Sequence, residues 1–261
     1  MNAENKATSV VESDVEIATP DGHCDAALFH PPTGTCPAVL IWPDAAGLRP
    51  SFRDMGRRLA DAGYCVLVPN VFYRSAKAPV FDASFSFQNP QHMARLKEIQ
   101  APLNAVGAVE RDASAYFSFL DSQPRVNRKR LAGTHGYCMG GKFALRTAAL
   151  LPGRIGAAAS FHGGGLVTDQ PDSPHLLATR IEARMYFAIA ANDDEKQPEA
   201  KDILRRSFSA ANVPVEVELY AAQHGFCVPD MPPKDGQPIY SPADAERAWA
   251  KLLHLYRTVL G

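Results

Sequence analysis

Apolar residues along this chain fall into short continuous runs separated by longer amphipathic stretches. Residues 37–42 read Pro-Ala-Val-Leu-Ile-Trp, and residues 64–69 read Tyr-Cys-Val-Leu-Val-Pro. A strand with one wet face would alternate apolar and polar residues, so unbroken runs of this length predict strands covered on both faces. Between them, residues 51–62 set Phe52, Met55 and Leu59 at helical spacing, and Gly63 supplies the stop. The same exchange continues to the end of the chain. Helical character covers 96–120, a strand ends over 130–134, and residues 142–150 are rich in helix formers. Strands then fall at 155–161, 184–191 and 215–220, with helices at 199–211 and 242–260. Such alternation predicts an α/β fold with a mostly parallel central sheet and helices on both faces. At the start, 12–19 and 24–29 flank the turn residues Pro20-Asp21-Gly22, which predicts an N-terminal antiparallel hairpin. Residues 70–90 are aromatic but aperiodic and read as a long loop near the site. There is no internal repeat, low-complexity tract or linker, so residues 1–261 are expected to form a single domain.

Composition narrows the function classes. The 261 residues are 46% hydrophobic, with a formal net charge of −1 and a pI near 6.7. That balance gives no electrostatic reason to expect a nucleic acid or an anionic membrane as partner. The basic stretch from Arg125 to Arg130 reads as a solvated connector. The opening Met-Asn-Ala-Glu-Asn-Lys is not followed by an apolar leader, and no apolar run is long enough to span a bilayer. Cys24, Cys36, Cys65, Cys138 and Cys227 are odd in number and scattered, matching neither a disulfide framework nor a metal-binding pattern. A cytoplasmic protein is expected, in which thiols stay reduced.

The chemistry concentrates at Gly136-Tyr137-Cys138-Met139-Gly140, a G-x-C-x-G motif between a predicted strand and a predicted helix. This is the context in which the motif becomes a nucleophile elbow. A Cβ at either glycine would collide with neighbouring backbone in so sharp a turn. The helix behind it directs its positive end at the sulfur, which favours thiolate. A cysteine nucleophile needs a base, and the base needs an orienting acid. Both follow at strand ends in the order acid, then histidine. Asn192-Asp193-Asp194 comes after Ala188-Ile189-Ala190-Ala191, and His224-Gly225 comes after the strand ending at Tyr220.

With these residues the chain resembles the dienelactone hydrolase family over nearly its whole length. The matching segments are 41–49, 68–74, 136–141, 190–198 and 224–226. The resemblance implies an α/β-hydrolase fold and a Cys-Asp-His triad that hydrolyses small esters or lactones through a thioester, without a cofactor. Cys138 is then the nucleophile, His224 the proton carrier and Asp193 the orienting acid, although counting back from Pro198 points to Asp194. The oxyanion hole is expected from the N–H groups of Met139 and Ala45. Pro43-Asp44-Ala45-Ala46-Gly47 stands where the family has Gln-Glu-x-x-Gly, so Asp44 replaces a glutamate that bonds the resting cysteine. Arg74 matches the first of two arginines that clamp a substrate carboxylate, while the second falls on Val228. Tyr73, His162 and Phe226 are further expected pocket residues, and His135 reads as buried packing. The implied partner is a small-molecule ester or lactone, and both a monomer and a homodimer remain open. Two other classes compete: a thiol-based redox protein, for which Cys227 would be the resolving thiol, and a non-catalytic binding member of the same fold.

Overall fold

The computed structural model of the chain describes residues 10–82 and 84–261. Residues 1–9, where the sequence reading finds no apolar leader, lie outside the described residues, as does Ala83 within the aromatic loop. The predicted hairpin is formed by β1 (Val11–Thr19) and β2 (Gly22–His30), paired antiparallel from end to end. β3 (Ala38–Trp42), β4 (Cys65–Pro69), β5 (Ala132–Tyr137), β6 (Ile155–Phe161), β7 (Arg184–Ala190) and β8 (Val215–Tyr220) run parallel to one another. Among the described residues the sheet order is β1-β2-β4-β3-β5-β6-β7-β8, with β2 antiparallel to β4.

Alternation along the buried strands divides the core in two. Leu40 and Trp42 of β3 join one apolar cluster, and Val39 and Ile41 join the other. Successive strand residues point to opposite faces, so each cluster lies on its own side of the sheet. The first face is covered by α3 (Ala108–Ser122), α4 (Met139–Leu150) and α6 (Ala200–Ala210), through side chains such as Tyr116, Phe143 and Phe208. The second is covered by α1 (Pro50–Asp61) and α7 (Pro242–Val259), through Phe52, Leu59, Trp249 and Tyr256. The mostly parallel sheet with helices on both faces is the architecture the pattern predicts.

Three local features differ from the sequence reading. The single helix expected over 96–120 is two, α2 (Pro90–Gln100) and α3, separated by residues 101–107. Pro102 interrupts the amide ladder there, and Gly107 enters α3 with φ of 73°, a left-handed conformation that glycine adopts without a steric penalty. α2 begins before the expected start because the Asn89 side chain accepts from the N–H groups of Gln91 and His92, with Pro90 opening the first turn. A short helix, α5 (Ala191–Lys196), follows β7 where only a loop was expected. Finally, Cys36 and Cys65 form a disulfide, with Cα atoms 5.7 Å apart, although the sequence reading treats all five cysteines as unpaired. Cys36 precedes β3 and Cys65 opens β4. Because Ala38 pairs with Cys65 across these strands, the two sulfurs meet at the sheet edge opposite the elbow.

The close packing of α1 on β2 yields a test. A Cβ built on Gly56 of α1 would stand 2.6 Å from ring atoms of the fully buried Phe29 in β2. On an exposed helix face glycine-to-alanine stabilises by about 0.5–1 kcal/mol, whereas forcing atoms into a filled core costs about 1–3 kcal/mol. Gly56→Ala is therefore expected to lower the urea midpoint with an unchanged m-value. A raised midpoint would refute this packing.

Candidate active site

Parallel pairing brings the carboxyl ends of four strands to one edge of the sheet. Tyr137 of β5 pairs with Phe161 of β6, Phe161 with Ala188 of β7, and Ala190 with Tyr220 of β8. The residues that follow these pairs are Cys138, His162, the α5 segment and the loop carrying His224. Segments separated by up to 86 residues are thus delivered to a common edge by strand register alone, 138 and 224 being the extremes.

The turn at Cys138 is tightly constrained. Cys138 has φ 54° and ψ −118°, far from the regions that non-glycine residues ordinarily occupy. A Cβ on Gly136 would lie 2.0 Å from the Gly140 carbonyl oxygen, and one on Gly140 would lie 2.3 Å from the Trp42 carbonyl oxygen. The Cys138 N–H donates to Phe161 O at 3.1 Å, and its carbonyl accepts from Gly141 and Gly164 at 3.1 and 3.2 Å. The strained conformation is therefore fixed from both sides. Met139 is the first residue of α4, so its N–H has no intrahelical acceptor. Across from it, the 44–47 turn is closed by Ala46 N–H to Asp44 Oδ1 at 2.9 Å and by Gly47 N–H to Asp44 O at 3.0 Å, with Ala45 between them.

His224 connects two of the other expected residues. Its Nδ1 donates to Asp193 Oδ2 at 2.6 Å, and the Cys138 side chain lies near enough to act on the charge of the imidazole. Burial opposes a charge on this ring, but the hydrogen bonds and opposite charges of Asp193 and Cys138 outweigh it, and the His224 pKa is pushed up to about 10. The neighbouring Asp194 turns elsewhere: its Oδ1 accepts from Lys201 Nζ at 2.7 Å. Asn192, which the sequence reading passes over, accepts the His224 backbone N–H at 2.7 Å through its side-chain oxygen. Its signal was its place, two residues from a strand end and beside the acidic pair.

The other expected pocket residues have different surroundings. Arg74 donates from Nη1 and Nη2 to the fully buried Asp112 at 2.8 and 2.7 Å, and from Nη2 to Asp21 at 2.6 Å. Its guanidinium joins the hairpin turn to α3, so its donors are occupied by protein carboxylates. Tyr73 belongs to the same cluster, its hydroxyl donating to Asp112 Oδ1 at 2.8 Å and lying 2.7 Å from that of Thr19. Asp44, also buried, receives Arg49 in two-pronged fashion at 2.7 and 2.9 Å, and Arg49 in turn reaches Asp230. Arg49 and Asp230 were not singled out from sequence, since nothing local signals a pair 181 residues apart. Val228 and Phe226 are wholly buried, Phe226 stacking on Tyr220 with centroids 4.9 Å apart. His162 is wholly buried too, with φ 39°, and its ring meets that of His224 edge-on at 5.0 Å. Burial and the His224 charge push its pKa well down, so this imidazole is neutral. His135 lies under the sheet edge, 2.9 Å from the Tyr256 hydroxyl.

Of the three cysteines outside the disulfide, Cys138 alone is partly exposed. Burial pushes the Cys24 thiol up to about 12 and raises that of Cys227 as well. Among the described residues no group of three or more His, Cys, Asp or Glu side chains is placed to hold a metal ion, and no helix is long and apolar enough to cross a membrane.

Comparison with known proteins supplies the relationship. The model of the dienelactone hydrolase family matches residues 24–260. A carboxymethylenebutenolidase of Rhodococcus opacus is 27% identical over 232 residues, which cover 87% of this chain and 83% of that protein. Among solved structures, a dienelactone hydrolase-like promiscuous phosphotriesterase from metagenomic libraries superposes with a TM-score of 0.79 at 24% identity, covering 97% of this chain and 99% of that one. A putative dienelactone hydrolase from Klebsiella pneumoniae superposes with a TM-score of 0.77 at 19% identity, covering 95% and 99%. These last two likenesses concern the fold, which is that of the α/β-hydrolases.

The raised His224 pKa has a defined consequence for stability. Its contribution is fully present below the unfolded histidine value near 6.5 and fades as pH rises through about 10. Asp193→Asn removes one source of the shift. The gap in melting temperature between the native protein and this variant is therefore expected to narrow between neutral pH and pH above about 10. Thermal unfolding at both extremes checks this, and a gap that stays constant would contradict it.

Proposed function

The chain belongs to the dienelactone hydrolase family and is a hydrolase of the ester and lactone type; on that premise we propose that it works through Cys138 as nucleophile, His224 as proton carrier and Asp193 as orienting acid. The observation that carries this reading is the 2.6 Å hydrogen bond from His224 Nδ1 to Asp193 Oδ2 beside the partly exposed Cys138 at the sheet edge, whose side chain acts on the charge of the same imidazole. The high His224 pKa favours a resting pair in which the imidazole holds the proton and the sulfur attacks as thiolate.

Attack on the carbonyl carbon forms the carbon–sulfur bond and moves an electron pair onto the carbonyl oxygen. The N–H groups of Met139 and Ala45 are the donors we assign to that oxyanion. Collapse of the tetrahedral intermediate breaks the carbon–oxygen bond, and His224 protonates the leaving alkoxide. Neutral His224 then takes a proton from water. The hydroxide adds to the thioester, the acid product departs, and the imidazolium and thiolate are restored. Thiolate is a better leaving group than an amide nitrogen, so esters and lactones are favoured over amides. Asp193 keeps the imidazole in the tautomer that presents a basic nitrogen to sulfur and stabilises the imidazolium. A cytoplasmic setting belongs to the same proposal, because reducing surroundings keep the partly exposed Cys138 available while burial shields the Cys36–Cys65 bond. The redox alternative gains no support from Cys227, a buried thiol whose pKa burial raises.

Cys138→Ala is expected to abolish hydrolysis of short p-nitrophenyl esters and small lactones, while Cys227→Ala keeps most of it. Intact-mass spectrometry should detect an acyl adduct on the native protein and none on the Cys138 variant. Asp193→Asn should lower kcat/KM by about two or more orders of magnitude, against a small effect for Asp194→Asn. Full activity in Cys138→Ala would overturn the assignment, and a reversed order of the two aspartates would move the acid to Asp194.

A further inference from the structure

A cavity of about 770 Å³ opens between the 44–47 turn and the segment that follows His224. Ala46, next to the proposed oxyanion donor Ala45, forms one wall. Met231 forms another, and it packs on Gly225, where a Cβ would stand 2.9 Å from its terminal methyl. The cavity therefore touches both loops that bear on the reacting carbonyl. Its far side is aromatic. Phe81 and Phe85 have centroids 4.2 Å apart, and Phe87 meets Phe85 edge-on at 4.8 Å. Phe87 is 37% exposed.

Among the described residues that form these walls the carboxylates Asp82 and Asp230 outnumber the one cation, Arg49, which donates to both Asp44 and Asp230. Asp82 accepts from the N–H and hydroxyl of Ser84 at 2.8 and 2.5 Å. A substrate carboxylate would find no free guanidinium here, and Arg74 is occupied at the hairpin turn. A neutral ring, by contrast, would meet three phenylalanines offering both faces and edges, the geometry that aromatic pairs prefer. The size lies within the range of pockets that bury most of a drug-sized ligand, well beyond what a short acyl chain fills.

We infer that this cavity is the subsite for an uncharged aromatic arm of the substrate, so that the preferred esters are bulky neutral aryl-bearing ones and not small carboxylated lactones. This rests on the proposed ester hydrolysis at Cys138, and the test separates the two.

Methyl butanoate is compared with its ω-phenyl analogue, and butyl acetate with its ω-phenyl analogue. The remote ring leaves the reactivity of the ester unchanged and samples the acyl and alcohol arms in turn. At least one phenyl-bearing ester is expected to show kcat/KM about tenfold above its aliphatic partner. Phe87→Asp should collapse that ratio, while Leu176→Asp, at an exposed apolar residue outside the cavity, should preserve it. Calorimetry with phenylbutanol and butanol reads the cavity without catalysis: phenylbutanol is expected to bind, and Phe87→Asp to weaken it about tenfold. Phenylbutanol binding no better than butanol, or untouched by Phe87→Asp, overturns the inference. So does binding that brings no preference in cleavage. If phenylbutanol binds as expected but no ester is cleaved, the proposed hydrolysis fails and the aromatic cavity stands.

Discussion

The structure depends on how little space lies between strand β5 and helix α4. Gly136 and Gly140 bring backbone to within a distance that no Cβ could occupy, one against the start of α4 and the other against the end of β3. That compression forces the chain to reverse over a single residue, and Cys138 takes the φ of 54° that follows. Strain of this kind costs on the order of 1–3 kcal/mol and persists only where the surroundings determine it fully. Here they do, through hydrogen bonds to Phe161, Gly141 and Gly164. The side chain is thereby lifted out of the sheet edge, toward the His224 loop.

Around that point the other carboxylates are engaged by cations. Asp44 and Asp230 share Arg49, Asp112 and Asp21 share Arg74, and Asp194 has Lys201. Asp193 differs. Its short hydrogen bond goes to His224, and the nearest lysine, Lys196, stands off at 3.7 Å on a largely exposed side chain. A permanently charged partner this close would compete for the carboxylate and weaken its hold on the imidazole. The pairing of the other acids with arginine and lysine leaves Asp193 available to a group whose charge changes with pH. That distribution explains why His224, despite burial that disfavours its charge, has its pKa raised.

How much of this was legible in the sequence follows from the range of each interaction. Continuous apolar runs and helical spacing located the strands and most helices, because burial on two faces writes itself into neighbouring residues. The elbow was legible for the same reason, its glycines and its flanking strand and helix being local. Strand ends then pointed to Asp193 and His224, which lie within hydrogen-bond distance of each other because parallel strands present their carboxyl ends together. What failed was pairing at long range. Arg74 was read as a substrate clamp, but Asp112, 38 residues away, takes its guanidinium. Asp44 was read against the thiol, but Arg49 holds it, and the third member of that group lies 181 residues on. The Cys36–Cys65 bond was missed because only the register of β3 and β4 brings the two together. Periodicity carries no record of which charged side chains will share a corner of the fold.

His162 shows how the core behind the site completes the arrangement. Its backbone is held by donation to Ala188 O at 2.7 Å, and its ring sits edge-on between His224 and Phe226. Both ring nitrogens are buried with no hydrogen-bond partner among the described residues, an arrangement that costs free energy for any polar group. A second charged imidazole at 5.0 Å would repel a protonated His224 and pull its pKa down. Burial removes that possibility by holding His162 neutral. The ring then acts as a rigid apolar wall that fixes the plane of the His224 imidazole while Asp193 fixes its tautomer.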